Sequence, residues 1–235
     1  MTSFFIHLVQ KIQLTYDVYE LIYKTQETVN ILPGQFLLCE TNETNPRLRR
    51  AYSVSFSDGE NIHFIIKRLA DGKGGSKAIC DQEIGHMMQV WWPTGNFVLP
   101  TQKISENIIF IGTGTGFAPL YYQAKTLLEQ NPFQKISFIF GVREEKDLFY
   151  DTILQEWTQK YPNFSFQFCL SKPETELSLG YFHGRVTDYI QSYLATYIPQ
   201  DAIYGICWSP SMVKEIREIL QQAGIDDKNV FFEQY

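Results

Sequence analysis

The chain has 235 residues, of which 44% are hydrophobic and 20% are charged, which is typical of a folded globular protein and not of a disordered one. Its net charge of −6 argues against a nucleic-acid partner, and no apolar run approaches the length of a membrane span. The length is sufficient for one large domain or for two of ordinary size.

The cysteines and the N-terminal segment indicate a cellular setting. Cys39, Cys80, Cys169 and Cys207 lie far apart, and no CxxC or iron–sulfur spacing links them. The sequence therefore predicts neither a disulfide framework nor a metal site. The segment MTSFFIHLVQKIQ has no basic leader, and its apolar run is too short for a signal peptide. We expect a protein of the reducing cytoplasm.

The first hundred residues predict an antiparallel β-barrel. Segments rich in β-branched and aromatic residues are separated by turn signals such as Pro33-Gly34 and Asp58-Gly59, a spacing typical of small barrels. The predicted strands are Phe4–Leu14, Val18–Lys24, Gln35–Glu40, Ala51–Phe56, Asn61–Leu69 and Met87–Trp92, with a single helix at Ser76–Gln82.

After residue 100 the pattern changes to alternating strands and helices, which predicts a parallel sheet covered on both faces. The predicted strands are Asn107–Ile111, Lys135–Phe140, Phe164–Leu170, Ala202–Cys207 and Val230–Phe232. The predicted helices are Pro119–Glu129, Leu148–Lys160, Val186–Tyr193 and Ser211–Gln222. We therefore predict a two-domain protein, with a β-barrel domain at 1–102 and an α/β nucleotide-binding domain at 103–235.

A glycine-rich turn follows the first strand of the second domain. Gly112-Thr113-Gly114-Thr115-Gly116 leads into Pro119, so the pattern is strand, glycine turn and helix start. Such a turn brings backbone amides and a helix N-terminus close to a phosphate. The run is not a GxGxxG fingerprint, because Phe117 stands where the third glycine is expected. Taken alone, it indicates either a dinucleotide or phosphate site or a tight structural turn.

Several further motifs occur in one order along the chain. They are RxYS at Arg50–Ser53, Gly74-Gly75-Ser76, Pro93–Phe97, GTGTGxAP at 112–119, Phe140–Arg143, Cys207–Met212 and Phe232–Tyr235. In this order and spacing they resemble the ferredoxin–NADP reductase family over nearly the whole chain. Within that family the chain is similar to the reductase module of oxygenase electron-transfer components, without the fused ferredoxin domain.

The resemblance implies a flavin site on the barrel, with FAD preferred over FMN. Arg50 is expected to pair with the flavin diphosphate, Tyr52 to lie against the ring and Ser53 to hydrogen-bond near the hydride-accepting atom. Tyr235 is expected to cover the other ring face. The implied flavin-binding residues are Arg50, Tyr52, Ser53, Ile65, Ile66, Lys67, Gly74, Gly75, Ser76, Thr115 and Tyr235.

The resemblance also implies an NAD(P)H site, with Ser53, Cys207 and Glu233 as the catalytic residues. The implied dinucleotide-binding residues are Gly112, Gly114, Thr115, Gly116, Gly141, Val142, Arg143, Ser171 and Lys172. Ser171-Lys172 stands where NADPH-using relatives carry a pair for the 2′-phosphate, which favours NADPH slightly over NADH. Trp208 departs from the pattern, since the family has glycine there. Its indole is expected to narrow the pocket, stack on the cofactor or point away.

The expected activity is transfer of hydride from NAD(P)H to bound FAD, with electrons passed to a ferredoxin or flavodoxin, an oxygenase component or free flavin. The expected partners include neither nucleic acid nor membrane. The basic residues Arg47, Arg49, Lys67, Arg68, Lys73 and Lys77 suggest a docking face for an acidic carrier. The alternative is a flavin-binding relay or regulatory subunit of a larger complex with little NAD(P)H turnover of its own.

Overall fold

The computed structural model describes residues 3–41, 48–99, 105–174, 180–196, 199 and 201–235. The predicted domain boundary at 102/103 and the predicted docking residue Arg47 lie outside this part of the chain. None of the described helices combines the length and apolar character needed to cross a bilayer.

The first half forms a closed barrel of six antiparallel strands in the order β1-β2-β5-β4-β3-β6. Alternating apolar residues such as Leu21 and Tyr23 point inward and are fully buried. A single short helix, α1 (Gly75–Cys80), joins β5 to β6. The strands are β1 (Ser3–Gln13), β2 (Val18–Thr25), β3 (Phe36–Glu40), β4 (Arg49–Ser57), β5 (Asn61–Lys67) and β6 (Met87–Thr94).

The second half is a parallel sheet in the order β10-β9-β8-β7-β11-β12, with helices on both faces. Its strands are β7 (Asn107–Thr113), β8 (Lys135–Val142), β9 (Phe164–Leu170), β10 (Phe182–His183), β11 (Ile203–Trp208) and β12 (Val230–Gln234). Its helices are α2 (Phe117–Gln130), α3 (Asp151–Lys160), α4 (Val186–Thr196) and α5 (Pro210–Gln222).

Strand β7 shows why both faces of the sheet are covered. Ile108 and Phe110 belong to the core formed with α2 and α3, whereas Ile109 and Ile111 belong to the core formed with α4 and α5. Because successive side chains of a strand point to opposite faces, a continuous apolar run requires helices on both sides.

Helix α2 joins the two domains. Val18 and Ile65 of the barrel share one apolar core with Phe117 and Tyr121 of α2. The Tyr122 hydroxyl, also on α2, donates hydrogen bonds to two barrel carbonyl oxygens, those of residues 31 and 57, at 3.1 and 3.0 Å. The barrel is therefore packed against the sheet beside the carboxyl ends of β7, β8 and β11, where parallel sheets bind their ligands.

The predicted fold class is confirmed, and the differences are local. Helix α2 begins at Phe117 instead of Pro119, since a 3₁₀ turn at Gly114–Gly116 leads directly into it. Helix α3 begins at Asp151 instead of Leu148, because Tyr150 adopts a left-handed conformation with a φ of 62°. Strand β10 was not predicted, and its two residues carry no periodic signal.

Candidate functional site

Two cavities of similar size occupy the cleft between the domains. The barrel cavity measures about 390 Å³ and the turn cavity, beside the glycine turn, about 380 Å³, both within the range of small-molecule sites. Lys67, Thr115 and Trp208 line both cavities and therefore form the wall between them. Among the described residues no three His, Cys, Asp or Glu side chains come together as a metal site would require.

The barrel cavity collects the residues predicted to hold the flavin. Ten of the eleven line it, namely Arg50, Tyr52, Ser53, Ile65, Ile66, Lys67, Gly75, Ser76, Thr115 and Tyr235. Gly74 is the exception, since it is exposed and precedes α1 with a φ of 87°. Strand pairing explains the grouping, because β4 and β5 are neighbours in the barrel and Thr115 and Tyr235 approach from the sheet.

Arg50, Tyr52 and Gly75 form a cradle at one end of the barrel cavity. A Cβ on Gly75 would lie 2.8 Å from the Arg50 Cγ and 3.4 Å from the Tyr52 hydroxyl, so only glycine lets α1 approach this strand. Burial raises the pKa of Tyr52 and keeps its hydroxyl a hydrogen-bond donor. The Arg50 guanidinium donates a 2.9 Å hydrogen bond to the Arg49 carbonyl oxygen and has no carboxylate partner among the described residues, so its other N–H groups are available to an anionic ligand such as a diphosphate.

The three predicted catalytic residues lie close together beside the barrel cavity, although only Ser53 lines it and Cys207 and Glu233 line neither cavity. The Ser53 hydroxyl, on β4, donates a 2.9 Å hydrogen bond to Glu233 Oε2 on β12. The Tyr235 hydroxyl lies 3.4 Å from Ser53 Oγ and 3.4 Å from Cys207 Sγ. Parallel pairing of β11 with β12 sets Cys207 opposite Glu233. The second domain therefore brings Glu233 and Tyr235 to one barrel serine, and Cys207 to the hydroxyl of that tyrosine.

Burial governs the protonation of this cluster. It raises the pKa of Glu233, an effect that the Ser53 hydrogen bond partly opposes. It also raises the pKa of Cys207, so the thiol stays protonated at neutral pH. Tyr235 leaves 56% of its surface exposed, but its hydroxyl end is enclosed and its pKa is raised as well, chiefly by burial. The side chains of this cluster can therefore carry protons, and burial disfavours a nucleophilic thiolate at Cys207.

The glycine turn borders the turn cavity through Thr113, Gly114 and Thr115. Gly114 has a φ of 53°, in the left-handed region that glycine tolerates best. Gly116 is buried, and a Cβ there would lie 2.4 Å from the Cys207 carbonyl oxygen. Gly116 therefore serves the packing of the turn, whereas the half-buried backbone of Gly114 lines the cavity.

Six of the nine residues predicted for the dinucleotide line the turn cavity, namely Gly114, Thr115, Gly141, Val142, Arg143 and Ser171. Gly112 and Gly116 are buried behind it, and Lys172 lies beside it without lining it. The backbone N–H of Lys172 donates to the Arg143 carbonyl at 2.8 Å, which holds the segment after β9 against the end of β8.

Several residues that line the turn cavity were not among the predicted binding residues. Arg185 lies at the start of α4 and lines the turn cavity together with Arg143, and neither pairs with a carboxylate of the described residues. Ser209 and Ser211 line it from the loop after β11 and the first turn of α5. Their position in the sequence could have identified them, because each follows the carboxyl end of a strand, where parallel sheets bind their ligands.

Comparison with known proteins identifies both halves. The family model of the oxidoreductase FAD-binding domain matches residues 6–99, and that of the oxidoreductase NAD-binding domain matches residues 110–218. These ranges coincide with the barrel and the sheet and together span most of the chain. The chain therefore belongs to the ferredoxin–NADP reductase-like family of FAD- and NAD-binding oxidoreductases, which confirms the predicted resemblance and both cofactor classes.

Individual relatives agree with this family. The toluate 1,2-dioxygenase electron transfer component of Pseudomonas putida is 26% identical over 204 residues, covering 87% of this chain and 58% of that protein. The Amycolatopsis cytochrome P450 reductase GcoB superposes with a TM-score of 0.90 at 20% identity, over 99% of this chain and 69% of that one. A ferredoxin NADP+ reductase from Neisseria gonorrhoeae superposes with a TM-score of 0.87 at 16% identity, over 100% of this chain and 99% of that one.

Proposed function

We propose that this chain takes hydride from NAD(P)H onto bound FAD and passes the electrons to a separate acceptor. The observation that carries the proposal is the contact between the domains beside the barrel cavity, where the Ser53 hydroxyl donates a hydrogen bond to Glu233 and lies close to the Tyr235 hydroxyl. The chain spans 58% of the length of the toluate dioxygenase component, so the activity is argued from the site itself.

The barrel cavity suits FAD. Arg50, with Gly75 and Ser76 beside it, would bind the diphosphate through a fixed positive charge and a closely approaching backbone. Gly74 and the strand segment Ile65–Lys67 would support the same site. When bound, FAD supplies the redox chemistry, since it accepts hydride from nicotinamide and releases electrons singly or in pairs.

The protein residues would orient the reactants and manage protons. Ser53 would hold the edge of the flavin ring with its hydroxyl, and Tyr52 would pack against the ring from the barrel side. Cys207 and Glu233 would shape the nicotinamide end of the cleft, with Glu233 kept readily protonated by its raised pKa. Tyr235 would cover the ring and exclude water until a donor arrives.

The turn cavity suits the adenosine and phosphate half of the donor. Thr113, Gly114 and Thr115 present the start of α2 to it, where backbone N–H groups and the helix dipole favour a pyrophosphate. Gly112 and Gly116 would support the turn from behind. Gly141 and Val142 of β8 would contact the donor from the neighbouring strand end.

The donor preference we propose is NADPH. Arg143 and Arg185 line the turn cavity beside Ser171, and no carboxylate of the described residues pairs with either guanidinium. A 2′-phosphate is the part of NADPH that two free arginines would recognise. Lys172 would add a more distant charge, since it lies outside the lining. Asp17, Asp147 and Glu215 also line this cavity and would limit the preference.

For the acceptor we propose an oxygenase component or a ferredoxin, as the names of the toluate dioxygenase and ferredoxin NADP+ reductase relatives suggest. A flavodoxin or free flavin is the other acceptor that the family resemblance implies. The case for a basic docking face is weakened by its ion pairs. Lys67 pairs with Asp17 at 2.9 Å, and Arg68 and Lys77 both pair with Asp81. The four cysteines are free and buried, which supports the predicted reducing cytoplasm.

The direct test is anaerobic titration of the FAD-loaded protein with NADH and with NADPH while flavin bleaching is followed. Stoichiometric bleaching by at least one donor is expected, with faster reduction by NADPH. The proposal is wrong if purified protein supplied with excess FAD or FMN binds neither flavin, or if bound flavin is not reduced by either donor.

The alternative function is a flavin-binding relay or regulatory subunit with little turnover of its own, and Trp208 at the wall between the cavities is the observation that favours it. Steady-state oxidation of NAD(P)H with ferricyanide separates the two functions. A reductase turns over many times per flavin, whereas a relay subunit binds flavin and shows only trace turnover.

A further inference from the structure

Trp208 combines a large side chain with a backbone conformation that usually requires glycine. It is the last residue of β11 and has a φ of 154°, a value that bulky residues rarely adopt. Tyr150 is the only other non-glycine residue with a positive φ in the described part of the chain. Backbone strain of this kind persists where the surroundings hold the residue in place.

The surroundings of the indole ring are specific. A Cβ on Gly114 would lie 3.1 Å from the Trp208 Cζ2 atom, so the six-membered ring stands directly against the glycine turn. On its other side Trp208 meets Tyr235 edge to face, with ring centroids 5.7 Å apart and planes at 84°. The indole therefore fills the space between the glycine turn and the terminal tyrosine.

The same three residues line both cavities, so the boundary between the cavities runs through this space. Of the three, Thr115 is small and Lys67 is tied to Asp17 by an ion pair, which leaves the indole as the largest side chain of the wall. A dinucleotide seated on the glycine turn must extend past this wall for its nicotinamide to reach the barrel cavity.

We infer that Trp208 is a gate for the nicotinamide half of the donor and acts together with Tyr235. This inference rests on the proposed function, because it assumes a dinucleotide in the turn cavity. The adenosine half contacts the turn without disturbing the indole, whereas the nicotinamide half must displace the edge-to-face pair. The gate therefore lowers the affinity for a whole dinucleotide and leaves the affinity for its adenosine half unchanged.

The experiment compares two ligands by calorimetry on the FAD-loaded protein. ADP-ribose probes the adenosine half and NAD+ the whole molecule, and the 2′-phosphate forms of both are used if NADPH is the preferred donor. Trp208→Gly removes the ring and suits the positive φ. We expect this variant to bind the whole dinucleotide about fivefold more tightly, which corresponds to about 1 kcal/mol, with unchanged binding of ADP-ribose.

Two further variants make the comparison decisive. Trp92→Ala removes an exposed tryptophan of β6, far from either cavity lining, and is expected to change neither affinity. Trp208→Phe keeps a smaller ring at the gate and is expected to give an intermediate gain, which preserves the test if the glycine variant folds poorly.

Each of the other outcomes contradicts either the gate or the proposed function. Equal changes for ADP-ribose and the whole dinucleotide mean that Trp208 only supports the turn, and the gate is overturned. An unchanged or weaker affinity for the whole dinucleotide in Trp208→Gly overturns it too, the latter because the indole would then be a stacking platform. Absence of ADP-ribose binding in the unaltered protein contradicts the proposed function itself.

Discussion

Ser53 and Glu233 are 180 positions apart in sequence and belong to different domains, yet the serine hydroxyl donates a 2.9 Å hydrogen bond to the glutamate carboxyl group. This bond fixes the end of β12 against β4. It also ties the protonation of Glu233 to the barrel, since the bond favours the charged form that burial disfavours. A chemical test of the site can therefore begin with this pair.

Ser53→Ala should slow flavin reduction at saturating donor roughly ten- to hundredfold, because leaving the buried Glu233 carboxyl group without its hydrogen-bond partner costs about 1–3 kcal/mol. Glu233→Gln should also slow it, and the double variant should lose less than the product of the single losses, since the two residues act as a pair. Stopped-flow absorbance of the flavin measures all three.

The matched control for this pair is Ser55→Ala. Ser55 lies two residues further along β4 and is buried, and its hydroxyl has no partner among the described residues. Its removal is expected to leave the rate of flavin reduction unchanged. Equal slowing in the Ser53 and Ser55 variants would show that the strand, and not the Ser53 hydroxyl, determines the rate.

Protein stability should depend on pH through Glu233. Burial raises its folded-state pKa above the ordinary value of 4.5, so above that pH the folded protein binds a proton more readily than the unfolded chain does. Stability from this group is thus present at low pH and lost as pH rises through the raised pKa. Relative to Glu233→Gln, the unaltered protein should lose free energy of unfolding as the pH rises above about 4.5, until it has passed the raised folded-state pKa.

The measurement is denaturant unfolding at a series of pH values with saturating FAD in every sample. Parallel pH profiles for the unaltered protein and Glu233→Gln would mean that the carboxyl group has the same pKa in both states, contrary to its burial.

The proposed donor preference predicts different effects for three basic residues. Arg143→Ala and Arg185→Ala should each lower kcat/KM for NADPH about tenfold with little effect on NADH, since a charge-assisted bond to phosphate contributes about 1.5 kcal/mol or more. Lys172→Ala should have a smaller effect, because Lys172 does not line the cavity. An equal loss for both donors would place the arginines on the pyrophosphate shared by NADH and NADPH.

Gly116→Ala should destabilise the protein more than Gly74→Ala. A Cβ at 116 would stand 2.4 Å from the backbone oxygen of Cys207, which cannot rotate away, and such overpacking costs about 1–3 kcal/mol. A Cβ at 74 meets nothing within 4 Å, so its cost is that of a positive φ, about 1 kcal/mol. Denaturant midpoints compare the two, and equal midpoints would contradict the close approach at 116.

The sequence predicted the architecture well because its periodic signals are strong. Apolar runs such as Asn107–Ile111 and Phe164–Leu170 differ clearly from the half-buried strands of the barrel, so both sheet types followed from pattern alone. The predicted boundaries of helices were less accurate where the backbone conformation of a single residue determines where the helix begins. Tyr150 stops α3 from starting at Leu148, and nothing in the sequence marks a tyrosine for a left-handed φ.

The candidate site was predicted where residues belong to motifs and missed where only proximity brings them in. Ten of the residues that line the barrel cavity were named from the sequence, because they belong to the motifs that carry the family resemblance or match residues of that family. Arg185 lies in no motif, and its place beside Arg143 in the lining of the turn cavity depends on the order of strands in the sheet. Whether the indole of Trp208 points into the wall or away from it depends on a backbone angle that the sequence does not encode visibly.

All four thiols are buried, so the rate at which each reacts with a labelling reagent reports how often that part of the protein opens. Burial raises the pKa of Cys80 and of Cys169 to about 12, so alkylating reagents will find almost no thiolate in the closed protein. Cys207 differs in that its thiol is covered by the Tyr235 hydroxyl at 3.4 Å. Any event that lifts that tyrosine should expose Cys207 first, and mass spectrometry of the labelled peptides would time it.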